Sequence, residues 1–532
     1  MDILIKNATV VDGSGAPRYE ADVAVEGNRI VAIGPLPDAR AELVVDAAGL
    51  VVSPGFIDMH SHADLTLPFG PTAPSLVHQG ITTAVVGMCG LSAAPLLDET
   101  RAQVTATMDA WVAQMGPKLP IPWSEWSSFG EFLEYLRRTG ISMNIVPLVG
   151  QGMVRSAVMG FADGAASPAQ VAAMQKLVAR AMDEGAFGIS TGLIYPPGSY
   201  ASTAELIEVT RPVGERGGYY FSHIRGEGET LLEAVSEAVR IGREAGAAVE
   251  VGHFKATGRA NWDKLPQAIA ILERARAEGL DVTADTYTYT AGSTTVLSLL
   301  PEWAQEGGRD ATLQRLSDSA TRRAMSDSMR TGGGHGDVDW ADIMIGSCAA
   351  RPEYQGHTVA PLAEELGRSA HDVVFDVLLE SELEASMFTF QISPDNVKVK
   401  LRHPAIMIGT DSFGFAATGP MHQGVPHPRN YGVYPRLLGR YVREERVLSL
   451  EEAVWKSTGF PAQKLRLSDR GLVKSGYQAD LVIFDPDTIV DRATFQDPHQ
   501  YPAGIAYVIV GGEVVVHDNV HTGARPGNVL VR

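Results

Sequence analysis

The chain has 532 residues, with 44 Lys and Arg against 63 Asp and Glu, a formal charge of −19 with histidine neutral. That balance argues against a partner such as nucleic acid or an anionic membrane, because both require a basic face to meet phosphate. Hydrophobic residues at 45% and charged residues at 20% suit an ordinary globular core, and a total of two cysteines excludes a disulfide framework and fits a reducing, cytoplasmic setting.

The amino terminus, MDILIKNATVVDG, lacks the basic start and apolar stretch of a signal peptide. Residues 1–53 read as short alternating strands between Gly and Asn turns, a small antiparallel β unit. Leu65 to Leu97 carries no Asp, Glu, Lys or Arg, long enough on paper to cross a bilayer. Pro68, Pro71, Pro74, Gly80 and Gly90 interrupt it, so the expectation is a soluble helix followed by a buried strand.

From residue 54 onward, apolar runs alternate with helical segments such as PAQVAAMQKLVARAMDEG. The runs are Gly55–Ser61, Ile81–Cys89, Ile141–Gly150, Ala186–Gly192, Gly218–His223, Ala247–His253, Leu280–Tyr287 and Ala405–Asp411. Eight such units predict an α/β fold, a (β/α)8 TIM-like barrel over residues 54–464. The seventh and eighth runs lie far apart, so an insertion is expected over about 290–400, with a GGGHG turn at Gly332–Gly336 and the capacity to act as a lid. Residues 465–532 return to β-rich sequence (GYQADLVIFDP, AGIAYVIVGGEVVVHDN, GNVLVR), which predicts a small β-sandwich-like domain built from 1–53 and 465–532 together.

Metal-ligand residue types fall at the carboxyl ends of five runs, where a barrel assembles its active site. The first gives His60 and His62, two apart and therefore on one face of an extended strand. The second ends at Cys89, the fifth at His223, the sixth at His253 and the eighth at Asp411. Imidazole, thiolate and carboxylate are the donors Zn2+ prefers. Taken singly, each has a plain structural explanation: a free cysteine is usually a small buried hydrophobe, and isolated histidines such as His78, His371 and His499 are ordinary surface or core residues. The joint placement at strand ends is what points to chemistry.

PGFIDMHSHAD (54–64), GAFGISTGLIYPP (185–197), FSHIRGEGE (221–229), VGHFKATGRANW (251–262), DTYTYTAGST (285–294), LRHPAIMIGTD (401–411) and HPRNYGVYPRLLGRYVRE (427–444) together resemble the amidohydrolase superfamily and, within it, the N-acyl-D-amino-acid deacylases, or D-aminoacylases. The resemblance spans nearly the whole chain and is weakest over 300–390. It implies a zinc-dependent amide hydrolase releasing a carboxylic acid and a D-amino acid. One zinc would be held tightly by Cys89, His223 and His253, with a second, weaker position involving His60, His62 and Asp411. The fourth strand reads GISTG and offers no lysine for carboxylation, as the cysteine-using subgroup implies. Asp411 would serve as general base and acid for water acidified by the metal. Tyr195 would donate to the developing oxyanion, while Lys255, Arg429 and Tyr287 would receive the substrate carboxylate. The loop 412–428 is longer and differently composed than the family pattern, and it borders the pocket.

The expected partner is a small N-acyl amino acid, with no nucleic acid or membrane partner; homo-oligomerisation stays open. The nearest competing reading is another metal-dependent amidohydrolase acting on a different amide, carbamoyl or cyclic amide substrate. More remote are a non-catalytic scaffold and a serine hydrolase using Ser190, since GISTG matches G-x-S-x-G. An elbow needs a helix directly afterwards, whereas Pro196 and Pro197 follow here.

Overall fold

The computed structural model describes residues 1–330 and 338–532; the GGGHG segment expected to turn over the site lies outside them. Eight parallel strands form the centre of the chain: β1 (Phe56–Asp58), β2 (Ile81–Val86), β3 (Asn144–Pro147, resuming at Val149–Gly150), β4 (Gly188–Gly192), β5 (Tyr219–His223), β6 (Ala248–Val251), β7 (Val282–Thr286) and β8 (Ile406–Ile408). Each pairs in parallel with the next. The ring closes between β8 and β1, where Met59 N donates to Ile408 O at 3.2 Å and Ser61 bridges Ser412 in parallel. The expected TIM-like barrel is therefore present. Apart from half-buried Ala248 at the start of β6, its strands are buried along their whole length, as in Ile81–Val86 and Val282–Thr286, which is why they read as continuous apolar runs rather than alternating ones.

The helices between strands are amphipathic. Leu231–Ala245 buries Leu231, Ala234, Val235, Ala238, Val239 and Ala245 at helical spacing and ends on Gly246 in the left-handed region, φ 72°. Capping boxes open the helices Phe129–Thr139 (Ser128 with Glu131) and Pro168–Asp183 (Ser167 with Gln170), each worth about 1 kcal/mol over an alanine cap.

Strands from both ends of the chain share one nine-stranded sheet, joined where Leu481–Phe484 runs antiparallel to Val51–Pro54. Leu481, Ile483 and Ile509 pack with Ile3, Ile5, Val10 and Val25 into a separate core. On the opposite face Val482, Phe484, Val508 and Val510 join the barrel core. GNVLVR departs from the expectation: it leaves this sheet and runs along β3, with Ile145 N donating to Asn528 O and Leu530 N to Ile145 O, both at 2.9 Å. β4 pairs with β3 only from Val149 onward, so the first half of β3 has an open edge that the tail covers.

After β7 the chain makes an excursion containing a three-stranded antiparallel sheet, Gly292–Thr295, Ala385–Thr389 and Ile343–Cys348. It has its own apolar cluster, including Leu316, Met325, Ile345, Phe375 and Met387. The helix Pro394–Arg402 returns the chain to β8. The charge-free span 65–97 folds as a short helix, Pro74–Val77, and the buried β2, and no helix among the described residues is long and apolar enough to cross a membrane.

Candidate metal centre

Three strand ends turn inward through unusual backbone. Cys89, His253 and Asp411 have φ of 53°, 30° and 54°, left-handed conformations that a non-glycine residue rarely adopts and that cluster at functional sites. Glycine makes room for the turn: a Cβ at Gly192, the end of β4, would stand 2.1 Å from Cys89 O.

The side chains converge in two overlapping groups. Potential ligand atoms of His60, His62, Cys89 and Asp411 lie within 4.8 Å of one another, as do those of Cys89, His223 and His253, and all are buried. His60 Nε2 and His62 Nε2 are 3.4 and 3.3 Å from Asp411 Oδ1. Cys89 Sγ is 3.4 Å from His60 Nε2 and 3.9 Å from His253 Nε2, which is 2.9 Å from His223 Nδ1. Cys89 belongs to both groups. Burial pushes its thiol up, yet His60, His223 and His253 around it hold it well below the ordinary thiol range, so the thiolate, the ligating form, is favoured. Buried lone-pair atoms aimed at one another are reconciled by a cation between them. The opposite ring nitrogens, His62 Nδ1 and His223 Nε2, are buried without a hydrogen-bond partner in the protein. The donor set fits zinc.

A second layer orients the first. Asp285 Oδ1 contacts His60 Nδ1 at 3.3 Å and accepts from His253 N at 2.9 Å. Asp58 accepts from Thr410 N and Thr410 Oγ1 at 2.8 and 2.6 Å, tying β1 to the end of β8. Glu227 Oε1 lies 2.9 Å from His253 Nδ1 and 2.5 Å from Lys255 Nζ. Asp58, Asp285 and Glu227 are site residues that the spacing of ligand types along the sequence does not single out. Asp58 and Asp285 sit inside motifs already quoted, FIDMHSH and DTYTYT, where carboxylates in a buried strand were the available signal; Glu227 in GEGE resembled any loop acid.

Beside the cluster opens a narrow cavity lined by the barrel mouth and by the excursion. Lys255, Arg429, Tyr287 and Tyr195 all line it. Both cations already have acid partners: Lys255 has Glu227, and Arg429 Nη1 is 2.8 Å from Asp411 Oδ2. Burial works against the Asp411 carboxylate, but Arg429, His60 and His62 hold it well below the usual carboxylate range. Tyr287 presents its ring to Arg429 at 5.2 Å and leaves its buried hydroxyl without a protein partner. Tyr195 OH meets Thr294 Oγ1 of the excursion at 3.0 Å.

Ser190, by contrast, is no nucleophile: it is fully buried, its hydroxyl donates to Gly87 O at 2.5 Å and accepts from Gly90 N at 3.0 Å. The turn after β4 continues into Gly198–Tyr200 rather than into an elbow helix. Cys348 lies far from this chemistry, in the core of the excursion.

A closed parallel barrel whose strand ends gather two overlapping sets of metal ligands beneath a small-molecule cavity defines a metal-dependent barrel enzyme. The sequence profile of the amidohydrolase family matches residues 43–516. D-aminoacylase from Alcaligenes xylosoxydans xylosoxydans is 37% identical, covering 100% of this chain and 98% of that one. A crystal structure of D-aminoacylase superposes with a TM-score of 0.83 at 37% identity over 100% of both chains. N-acyl-D-glutamate deacylase from Bordetella bronchiseptica, solved with zinc and a phosphonate mimic of the tetrahedral intermediate, superposes with a TM-score of 0.84 at 34% identity, again over 100% of both chains. The chain belongs to the amidohydrolase family, and D-aminoacylases are among its full-length relatives there.

Proposed function

We propose that this protein is a zinc-dependent hydrolase that converts an N-acyl-D-amino acid and water into a carboxylic acid and a free D-amino acid. The observation that carries the reading is the pair of ligand sets sharing Cys89, set beside Lys255, Arg429 and the unpartnered Tyr287 hydroxyl. Full-length similarity to enzymes named for this substrate class supports the D hand. Cys89, His223 and His253 would hold the tightly bound zinc, and His60, His62 and Asp411 would complete a weaker second position. Bound there, zinc supplies Lewis acidity at the scissile carbonyl and brings water toward a pKa of about 7.

Asp411 takes the proton of the attacking water and passes it to the amide nitrogen as the C–N bond breaks, so one carboxylate serves both transfers. Tyr195 donates its hydroxyl proton in a hydrogen bond to the carbonyl oxygen as charge develops there. Arg429 offers a forked guanidinium and Lys255 a point charge to the substrate's α-carboxylate, with Tyr287 as a neutral donor between them. A reducing compartment such as the cytoplasm would keep the Cys89 thiol free of disulfide exchange and available to ligate. The deciding experiment is a panel of N-acetyl D- and L-amino acids with metal analysis of the same preparation. Hydrolysis of D-substrates by zinc-loaded protein is expected; hydrolysis of L-substrates only, or none with zinc bound, overturns the reading.

A further inference from the structure

We infer that Glu227 is a positioning residue that decides which nitrogen of His253 faces the metal centre, and that it does so against an opposing pull from Lys255. His253 Nδ1 has two neighbours at the same distance: Glu227 Oε1 and Lys255 Nζ, each at 2.9 Å. They demand opposite tautomers. A neutral imidazole carries one N–H. Lys255 has only donors to offer, so a bond from it to Nδ1 requires a bare Nδ1 and a proton on Nε2. That proton would point at His223 Nδ1, 2.9 Å away, and toward Cys89 Sγ, and would abolish the lone pair needed for ligation. Glu227 can only accept, so it places the proton on Nδ1 and leaves Nε2 bare.

The same oxygen also engages the competitor, since Glu227 Oε1 is 2.5 Å from Lys255 Nζ. Glu227 therefore offers the ammonium a charged acceptor in competition with the imidazole lone pair, while Lys255 stays in the cavity wall. Its own position is fixed by the backbone, where Thr257 N, two residues beyond Lys255, donates to Glu227 O at 2.7 Å. The loop after β5 and the loop after β6 are thus clamped to each other across the ligand they share. A carboxylate behind a ligating histidine typically contributes 10- to 100-fold in metal affinity; the particular claim for this chain is that Lys255 is what the carboxylate works against.

The inference rests on the zinc reading, and its test needs no substrate. Zinc affinity is measured by competition with a chromophoric chelator for the native protein, Glu227→Ala, Lys255→Met and the double variant, with thermal melts reporting folding. Glu227→Ala should weaken zinc about 10- to 100-fold, Lys255→Met should stay near native, and the double variant should recover most of the loss because no donor then pulls the proton onto Nε2. Native affinity in Glu227→Ala, or a double variant as weak as the single, overturns the inference. If Glu227→Ala does not fold, Glu227→Gln replaces it: its carbonyl still accepts from Nδ1–H but no charge restrains Lys255, so a smaller loss, again recovered by Lys255→Met, is the expected result. Native protein that binds no zinc would instead undo the proposed function itself.

Discussion

Cys89 and Cys348 carry the same thiol in opposite surroundings. Cys89 sits among four imidazoles' worth of ligand geometry at the barrel mouth, whereas Cys348 packs among Ile345, Phe375 and Met387. Cys89→Ala is expected to lose the tightly bound zinc, while Cys348→Ala keeps it; elemental analysis after gel filtration reads the difference directly. The two cavity cations separate in the same way. Lys255 is paired with Glu227, away from the proposed base, so Lys255→Met should raise KM at least tenfold while leaving kcat comparatively intact, the signature of lost ground-state binding. Arg429 touches Asp411 itself, so Arg429→Met should raise KM and lower kcat together. Steady-state kinetics on one N-acetyl-D-amino acid tests both, and equal kcat losses in the two variants would contradict this division.

Elements explain which parts of this were legible beforehand. Parallel strands buried on both faces leave unbroken apolar runs, so all eight barrel strands could be counted, and HxH on a strand announces two imidazoles on one face. The kinks at Cys89, His253 and Asp411 were not legible, because nothing in residue type marks a left-handed non-glycine. Nor was the contact of Glu227 with His253, which exists only once β5 and β6 lie side by side, nor the tail beside β3, whose open edge depends on where β4 begins. The helix Pro394–Arg402 hides a similar surprise. Lys400 is buried against β7 with Thr286 Oγ1 as its partner at 2.8 Å, and burial lowers its amine from 10.5 to about 7. Between these values the unfolded chain binds more protons than the folded one, so stability should rise with pH from about 7 to about 10, by at most a few kcal/mol. Lys400→Met should flatten that rise without weakening the fold at pH 7, since the Thr286 hydroxyl keeps Tyr287 O as an acceptor. Denaturant midpoints of both proteins across this range give the comparison; parallel curves would sink it.

At the scale of the whole molecule, a chain of net charge −19 is read as binding an anion. The local field must then outweigh the global one, and Lys255, Arg429 and a metal held by the ligand cluster would supply it in a confined mouth. That supply is enough for one carboxylate. Among the described residues lining the cavity, Lys255 and Arg429 are the lysines and arginines present, and each already faces an acid. Much of the remaining wall is apolar, with Trp111, Met115, Leu299, Ile343 and Phe413 among neutral hydroxyl and amide groups. A second carboxylate on the substrate side chain would be desolvated with no further cation to meet it, only neutral donors such as Thr257, Ser293, Thr389 and Gln391, a penalty of about 3 kcal/mol, and every 1.4 kcal/mol is about tenfold. N-acetyl-D-leucine is therefore expected to exceed N-acetyl-D-glutamate in kcat/KM by at least about 100-fold, although one structural relative is an N-acyl-D-glutamate deacylase. Raising ionic strength screens only the long-range repulsion, so it should narrow the gap slightly and leave most of it. A preference for the glutamate substrate, or a gap that closes in salt, would place the discrimination in the surface field rather than in the cavity walls.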